Sequence, residues 1–246
     1  FQEFKPQVVY HLAAQNEVPY SMEHHEEDTE LNILGTMNLL EVCHTNRIKK
    51  VIYSNTGGAL YGEVRQKDLP IKEDLPILKP TSFYGTSKGA AEMYLRLYGN
   101  LYGVGWVSLR YANVYGPRQD GNKEAGIVAI FTKKMLAKEI PTINGDGLNS
   151  RDYVYVGDVV EANIQALEFS QNDYFNISTG VKTTNNQVFE AIESVLKTGI
   201  KPLYGPPRLG DATQISLSCE KASKVLGWSP QVSFLDGVRK TIEYYI

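Results

Sequence analysis

Hydrophobic positions along the chain follow two patterns, one typical of buried strands and one typical of amphipathic helices. Apolar or β-branched runs of strand length lie at residues 8–13, 50–56, 106–111, 141–144, 151–156 and 173–178. Apolar residues recur at helical spacing at about 29–44, 83–102, 126–138, 158–168, 185–197 and 234–246, with a short helix near 218–226 and Asp158 as a capping residue. Strands that alternate with helices through long connections predict an α/β fold with a parallel sheet.

Composition and charge argue against several classes of protein. The 246 residues are 42% hydrophobic and 22% charged, and the net charge of -3 offers no basic surface to nucleic acid or anionic lipid. No apolar run approaches the roughly 20 residues that span a membrane. Cys43 and Cys219 stand far apart without metal-ligand spacing, which fits a reducing cytoplasm. His24 and His25 lie in a run of Glu and Asp, which we interpret as the solvated entrance of a helix and not as a metal site.

One pair of residues suggests chemistry. Tyr84 and Lys88 are four positions apart where a helix is predicted to begin, so both side chains project from one face of that helix. A cation beside a phenol favours the phenolate, which is a usable base. For this spacing alone, a surface aromatic residue and a solvated lysine are the more common explanation, so the interpretation depends on the surrounding motifs.

Several short motifs occur in one order along nearly the whole chain. They are HLAA at residues 11–14, SNTGGALYG at 54–62, the Tyr84 and Lys88 pair, RYANVYGPR at 110–118, RDYV at 151–154 and Arg208-x-Gly-Asp211. In this order they resemble the extended short-chain dehydrogenases/reductases of the NAD-dependent epimerase/dehydratase family, and within it the UDP-glucose 4-epimerases. The resemblance implies a Rossmann-like doubly wound parallel sheet with a smaller C-terminal substrate-binding lobe. The dinucleotide-binding domain would comprise residues 1–116 plus about 152–180, and the lobe about 117–151 plus 181–246.

The resemblance also implies a reaction. Such an enzyme uses bound NAD to interconvert UDP-glucose and UDP-galactose, or the N-acetylated pair, through a 4-keto sugar. Tyr84 would be the base, Lys88 would lower its pKa and hold the nicotinamide ribose, and Thr56 would hydrogen-bond the same sugar oxygen. The residues implied in cofactor binding are Ala13, Ala14, Gln15, Asn32, Ser54, Tyr84, Lys88 and Tyr111. For Asn32, a role as a helix-packing amide stays open.

A second set of residues would hold the UDP-sugar. They are Thr56, Asn113, Arg118, Arg151, Arg208, Asp211 and Ile215. Guanidinium groups suit a diphosphate, and Arg151 and Arg208 match the family positions that contact it. Alternatives stay open, because Arg151 could form a surface ion pair with Asp152 and Arg208 could be solvated. Ile215 is smaller than tyrosine, which implies room for an N-acetyl group.

The sequence departs from the family pattern at two places. Asn55 stands where relatives usually carry Ser, a change that we expect to be tolerated. The glycine-rich loop that holds the pyrophosphate does not occur, and the run at 8–13 matches the fourth strand of the family. We therefore expect the N-terminal strands to be missing, the run at 8–13 to form an apolar edge, and this polypeptide alone not to bind NAD.

Other functions fit parts of the pattern. A UDP-glucuronate decarboxylase or a uronate 4-epimerase would carry the same motifs, because recognition of C6 is not legible in the sequence. A dehydratase would carry an Asp-Glu pair after Thr56, where this chain has Gly57 and Gly58. A non-catalytic dinucleotide-sensing module commonly loses the Tyr or the Lys, and both are present. The helices at about 29–44 and 83–102 resemble those that pair across a homodimer in relatives.

Overall fold

The structure is a computed structural model that describes residues 1–77, 79–121, 126–207 and 214–246. Its strands are β1 (Val8–His11), β2 (Lys50–Thr56), β3 (Gly105–Tyr111), β4 (Asn113–Tyr115), β5 (Thr142–Asn144), β6 (Ser150–Arg151), β7 (Tyr153–Tyr155), β8 (Asp173–Ile177), β9 (Thr183–Thr184) and β10 (Leu203–Gly205). Its helices are α1 (Val18–Glu23), α2 (His25–Thr29), α3 (Gly35–Thr45), α4 (Phe83–Tyr102), α5 (Ile127–Leu136), α6 (Val156–Glu168), α7 (Asn185–Leu196) and α8 (Phe234–Tyr245). A π-helical turn (Glu30–Leu34) joins α2 to α3, a second one lies at Ala222–Leu226, and Gln66–Asp68 form a 3-10 turn.

The central sheet has the strand order β1-β2-β3-β8, and every pair in it is parallel. Side chains of β2 alternate between its faces, as the pleat of a strand requires. Val51 and Tyr53 pack with Leu40 and Leu95 from α3 and α4. Ile52 lies on the opposite face, in a cluster that includes Ala162 of α6. Helices therefore cover both faces, which is the arrangement that buries a parallel sheet and confirms the predicted fold class.

The carboxyl ends of β2 and β3 meet at one edge of this sheet, where the backbone packs too closely for most side chains. Gly57 follows β2 and donates its N–H to the Tyr111 carbonyl at 2.7 Å. A Cβ atom at Gly57 would lie 2.2 Å from Leu217 Cδ1. Glycine at this position therefore lets the chain after β2 turn across the end of β3.

A second hydrophobic cluster lies among α5, α7 and α8. Phe131, Phe189 and Ile242 are buried there and pack with Tyr115 of β4 and Tyr153 of β7. The two strands are parallel neighbours in a sheet of their own, and β5 pairs with β10 in another. The chain thus forms hydrophobic cores in more than one place, each from elements that are distant in sequence.

Several boundaries differ from those that the sequence predicts. The helix expected at about 29–44 is preceded by α1 and α2, and its first turn is π-helical. The expectation that Asp158 caps a helix is wrong, because β7 leads directly into α6 and Tyr155 is the N-cap residue. The Asp158 carboxylate instead accepts hydrogen bonds from the N–H groups of Gln231 and Val232, both at 3.1 Å.

β1 lies at the edge of the central sheet in the described part of the chain. Val8 and Val9 are half-buried, Tyr10 is 39% exposed and His11 is buried. A search of the described residues finds no helix with the length and apolarity that a membrane span requires.

Candidate active site

Helix α4 presents Tyr84 and Lys88 from its first two turns. Ser82 is the N-cap residue, with an extended backbone at φ -148, and its hydroxyl accepts the Gly85 N–H at 3.1 Å. The start of α4 packs closely on the loop after β2, because a Cβ atom at Gly85 would stand 2.4 Å from the Ala59 carbonyl oxygen. The sequence motif therefore begins a helix at the predicted residue and holds it against the strand that ends in Thr56.

Lys88 is buried, with 3% of its surface exposed. Its Nζ lies 4.2 Å from the centre of the Tyr53 ring on β2. Burial lowers the pKa of Lys88 to about 7, and the negative charge of Asp28 opposes that shift. The charge of Lys88 also reaches His11, whose pKa is lowered to about 4 by burial first and by Lys88 second. The predicted lysine is therefore buried beside Tyr53, in a site where burial disfavours its charged form.

Tyr84 does not have the lowered pKa that the sequence leads us to expect. Burial raises the pKa of Tyr84 to about 12, a hydrogen bond from the Thr56 side chain lowers it, and the charge of Asp28 raises it. Thr56 Oγ accepts the N–H of Ala59 at 3.1 Å, so its own proton is available to the phenol. In the cofactor-free chain desolvation thus outweighs the hydrogen bond from Thr56, and the effect of Lys88 on this pKa stays a prediction.

The ends of β2 and β3 bring two predicted cofactor residues together. The hydroxyls of Ser54 and Tyr111 are 3.1 Å apart. Asn163 of α6 donates its amide to the Tyr111 hydroxyl at 2.9 Å, a contact that no sequence motif signals. Burial raises the pKa of Tyr111, which therefore stays a neutral hydroxyl near pH 7.

The loop after β1 holds the other predicted cofactor residues. Ala13 and Ala14 are exposed at the end of the strand. Gln15 and Asn32 form a reciprocal pair, in which the Gln15 N–H donates to Asn32 Oδ1 and Asn32 Nδ2 donates to the Gln15 carbonyl, both at 3.0 Å. Asn32 Nδ2 also lies 3.1 Å from Ser87 Oγ, next to Lys88. The contacts of Asn32 in this structure are therefore those that its alternative role, a helix-packing amide, predicts.

The sequence analysis missed a fully buried carboxylate in this network. Asp28 is 0% exposed, although we interpreted its acidic run as solvated. Its Oδ1 accepts from Gln15 Nε2 at 2.8 Å and from Asn32 Nδ2 at 3.1 Å, and its Oδ2 has no partner among the described residues. Asp28, Asn32 and Thr36 recur at helical spacing and are all buried. A polar stripe with that period is the signal by which the sequence could have shown this carboxylate.

Asn55, the departure from the family pattern, is fully integrated into a buried network. Its Nδ2 donates to Glu92 Oε2 at 2.7 Å, and its Oδ1 accepts the Thr56 N–H at 2.8 Å. Glu92 forms an ion pair with Arg110 at 2.5 Å. The amide at position 55 thus satisfies its own polar atoms and fixes the backbone of Thr56.

The residues predicted for the UDP-sugar lie on other elements. Asn113 is exposed at the start of β4, and its N–H donates to the Asp152 carbonyl at 2.8 Å. Arg118 is exposed and has a left-handed backbone with φ 67. Arg151 is half-buried, and its Nη1 donates to the Ser150 carbonyl at 3.0 Å. Arg208 and Asp211 lie outside the described residues.

Asp152 and Ile215 are both interior residues. The Asp152 carboxylate accepts from Thr179 N at 2.9 Å, Thr179 Oγ at 2.7 Å, Gly180 N at 2.9 Å and Leu217 N at 3.2 Å. It therefore ties the chain after β8 to the segment that contains Ile215. Ile215 is 6% exposed and packs in the main hydrophobic cluster, so its effect on sugar choice stays a prediction.

The groups at this end of the sheet suit the nicotinamide half of a dinucleotide. Ligands of doubly wound sheets bind outside the carboxyl ends of the strands. The hydroxyls of Ser54 and Tyr111 and the ammonium of Lys88 lie at or beside that edge and can bond a ribose and a carboxamide. The unpartnered Asp28 Oδ2 adds a buried acceptor. No group of three or more His, Cys, Asp or Glu that could hold a metal occurs among the residues that the structure describes.

Comparisons with known proteins agree with this geometry. The family model described as NAD dependent epimerase/dehydratase family matches residues 1–178. The UDP-glucose 4-epimerase of Mycolicibacterium smegmatis is 41% identical over 244 residues, which are 99% of this chain and 77% of that protein. The crystal structure of the Thermotoga maritima UDP-glucose 4-epimerase with UDP-glucose has a TM-score of 0.95 at 46% identity, covering 100% of this chain and 79% of that one. The Thermus thermophilus UDP-glucose 4-epimerase in complex with NAD has a TM-score of 0.92 at 44% identity, with the same coverage of 100% and 79%.

Proposed function

The chain belongs to the NAD-dependent epimerase/dehydratase family, and on that premise we propose that it is a UDP-sugar 4-epimerase that interconverts UDP-glucose and UDP-galactose. The observation that carries the proposal is the arrangement of Tyr84, Lys88 and Thr56. A phenol and a buried ammonium share one face of α4, and a threonine hydroxyl at the end of β2 hydrogen-bonds the phenol. The UDP-glucose 4-epimerases to which the chain is similar supply the substrate class.

Tyr84 would carry the proton of the sugar hydroxyl at C4. The phenol oxygen takes that proton when the C4–H bond is broken and returns it when the bond is remade, which is general base and then general acid catalysis. NAD would be held by Lys88 and the strand-end hydroxyls of Ser54 and Tyr111, and it would supply a reversible hydride acceptor for C4 of the sugar. Because burial raises the pKa of Tyr84 to about 12 in the cofactor-free chain, the phenol there is protonated near pH 7.

The remaining roles divide between cofactor and substrate. Lys88 would hold the nicotinamide ribose, with the strand-end hydroxyls and the loop after β1 lining the same ligand; the full proposed set is Ala13, Ala14, Gln15, Asn32, Ser54, Tyr84, Lys88 and Tyr111. Arg151 and Arg118 would bond the diphosphate through charge-assisted hydrogen bonds, together with Asn113, Arg208 and Asp211. Thr56 would contact both the phenol and the sugar. Each of these assignments extends the family resemblance to one residue of this chain.

The N-acetylated sugars are a second candidate substrate pair. The basis of that proposal is the family resemblance, in which Ile215 is the nearest match to a residue that sets the room beside C2. Turnover of UDP-N-acetylglucosamine measured against UDP-glucose decides between the pairs. UDP-glucuronate is the comparison substrate for the uronate 4-epimerase alternative, and turnover confined to it would contradict the glucose assignment.

Replacing Tyr84 by Phe tests the mechanism. In the complete polypeptide with NAD, we expect Tyr84→Phe to abolish interconversion of UDP-galactose and UDP-glucose, because the proton carrier is removed while the ring remains. Tyr244→Phe is a matched control, since Tyr244 lies on α8 and is 53% exposed. Undiminished turnover of the Tyr84 variant would contradict the proposed role.

We also propose a homodimer and a division into two lobes. Exposed apolar side chains on α4 include Met93 at 70%, Leu97 at 46% and Leu101 at 63%, and α3 adds Val42 at 37%. Faces of this kind bury their surface against a partner. Sedimentation of a Met93→Asp variant should show a shift toward monomer if α3 and α4 form the interface.

The proposed lobes, residues 1–116 plus about 152–180 and about 117–151 plus 181–246, would place the UDP-sugar between them.

A further inference from the structure

Tyr84 is held through its backbone by a residue far away in the sequence. The first N–H groups of a helix have no acceptor within the helix. At the start of α4, Ser82 accepts the Gly85 N–H, whereas the Tyr84 N–H donates to Ser21 Oγ at 3.1 Å. Ser21 belongs to α1 and is 0% exposed. The hydroxyl that completes the first turn of α4 at Tyr84 therefore comes from another helix.

Ser21 is itself fixed to the loop after β1. Its hydroxyl donates to the Val18 carbonyl at 2.7 Å, and its N–H donates to the Glu17 carbonyl at 3.1 Å. The Gln15 side chain holds Glu17 on both sides, because Gln15 Nε2 donates to the Glu17 carbonyl at 3.0 Å and Gln15 Oε1 accepts the Glu17 N–H at 2.5 Å. A continuous series of hydrogen bonds therefore leads from Gln15 to the backbone of Tyr84.

The carbonyl of Tyr84 is also linked to the loop after β1 through hydrogen bonds. Ser87 Oγ donates to the Tyr84 carbonyl at 3.1 Å, and Asn32 Nδ2 lies 3.1 Å from that hydroxyl. Asn32 in turn pairs with the Gln15 backbone. The two contacts differ in importance, because the Tyr84 carbonyl can also accept the usual bond inside the helix, whereas its N–H lies in the first turn and depends on Ser21.

We propose that Ser21 is a positioning residue for Tyr84: its buried hydroxyl accepts the Tyr84 N–H and so fixes the phenol relative to the loop after β1. The proposal rests on the proposed function, in which the phenol exchanges a proton with the sugar. Removal of the hydroxyl leaves the Tyr84 N–H without its acceptor, and the first turn of α4 can then move. A displacement of about 1 Å at a reacting group can cost about 100-fold in rate.

The first measurement is steady-state kinetics of Ser21→Ala in the complete polypeptide with NAD. We expect kcat to fall by about 10-fold to about 100-fold while KM for UDP-galactose is unchanged, because Ser21 acts on Tyr84 and does not touch the substrate. The matched control is Ser233→Ala, which removes a serine hydroxyl that accepts the Asp236 N–H at 3.2 Å at the start of α8. The control should lose a comparable helix cap without a change in kcat.

A second variant keeps the number of heavy atoms in the side chain. Ser21→Cys replaces the oxygen by a weaker acceptor, so its kcat should lie between those of the wild type and Ser21→Ala. If Ser21→Ala does not fold, Ser21→Cys carries the kinetic test alone. A wild-type kcat in whichever of these variants is folded overturns the proposal.

The last measurement does not depend on turnover. Amide hydrogen exchange followed by NMR should show the Tyr84 N–H protected in the wild type and exchanging faster in Ser21→Ala or Ser21→Cys, with the Gly85 N–H much less affected. Equal exchange of the Tyr84 N–H in wild type and variant overturns the positioning role even if the sugars are interconverted. If the wild type turns over none of the sugars but the exchange differs as expected, the proposed function fails and the contact between Ser21 and Tyr84 stands.

Discussion

Replacing Glu92 by Gln should destabilise the protein strongly, because the change breaks a buried ion pair and leaves its guanidinium behind. Glu92 and Arg110 are 3% and 2% exposed. Arg110 binds the carboxylate with both Nη2 at 2.5 Å and Nε at 3.0 Å. Ser108 Oγ and Asn55 Nδ2 donate to the same carboxylate, each at 2.7 Å. Glutamine keeps the shape of the side chain, removes the negative charge and replaces one acceptor oxygen by an NH2 donor.

The expected loss follows from the burial of the pair. Removing one partner of a buried ion pair costs about 3–5 kcal/mol, because the remaining charge is uncompensated. That is a large part of the about 5–15 kcal/mol by which proteins of this kind are stable. Arg110→Met should be destabilising for the same reason. The double variant should lose less than the sum of the two single variants, by about 2 kcal/mol, because no lone charge remains.

Urea unfolding of the two single variants and the double variant at pH 7 measures this coupling. The pH dependence gives a second check. Burial raises the pKa of Glu92, but hydrogen bonds and the charge of Arg110 outweigh burial, so its pKa lies below the usual 4.5. A carboxylate with a lowered pKa stabilises the fold above its unfolded pKa and loses that effect as the pH falls through the folded pKa. The difference between wild type and Glu92→Gln should therefore shrink below pH 4.5. A loss under about 1 kcal/mol at pH 7, or strictly additive losses, would refute the reasoning.

Four further variants test the charges around Lys88 and the packing of two helical glycines. Asp28→Asn removes the charge that raises the pKa of Lys88, so that pKa should fall below about 7 in an NMR titration. Burial lowers the pKa of Lys88 from 10.5 to about 7, so the unfolded chain binds more protons than the folded chain between those pH values. The stability of the cofactor-free protein should therefore rise with pH in that range, relative to the stability of Lys88→Met, when both are measured by urea unfolding. Gly85→Ala would place a Cβ atom 2.4 Å from the Ala59 carbonyl oxygen and should cost about 1–3 kcal/mol in thermal unfolding. In Gly35→Ala the new Cβ atom would lie 3.6 Å from its nearest neighbour, so this variant should instead gain about 0.5–1 kcal/mol of stability.

Long periodic elements could be predicted from the sequence because their signals are local. The apolar run at 50–56 coincides with β2, and the helix predicted at about 83–102 coincides with α4. The short strand at 141–144 was predicted and coincides with β5, but other short elements, β4 among them, were missed because long-range pairing creates them. β4 exists because Asn113 lies opposite Tyr153 across 40 positions of sequence, and no pattern in its three residues requires a strand.

The burial of polar side chains was the second source of error in the predictions from sequence. Ser21 and Asp28 lie in a segment whose composition is that of a solvated helix entrance, yet both are 0% exposed. Their burial follows from the packing of α1 and α2 against the start of α4, which depends on where the chain after β1 turns. A local pattern can show that a residue is polar, but the direction in which it faces is set by its partners.

The pKa of Tyr84 shows that a local sequence pattern also fails to predict the pKa of a site residue, because that pKa depends on burial. Spacing on a helix predicts that a phenol and an ammonium are neighbours, and the structure keeps both on one face of α4. The sign of the pKa shift depends on a different quantity, the water that surrounds the phenol. Burial raises the pKa of Tyr84 to about 12 although Thr56 donates to it, and burial lowers the pKa of Lys88 to about 7 although Asp28 opposes the change. Each residue is therefore pushed toward its neutral form, a consequence of burial that the spacing of the two residues in the sequence does not show.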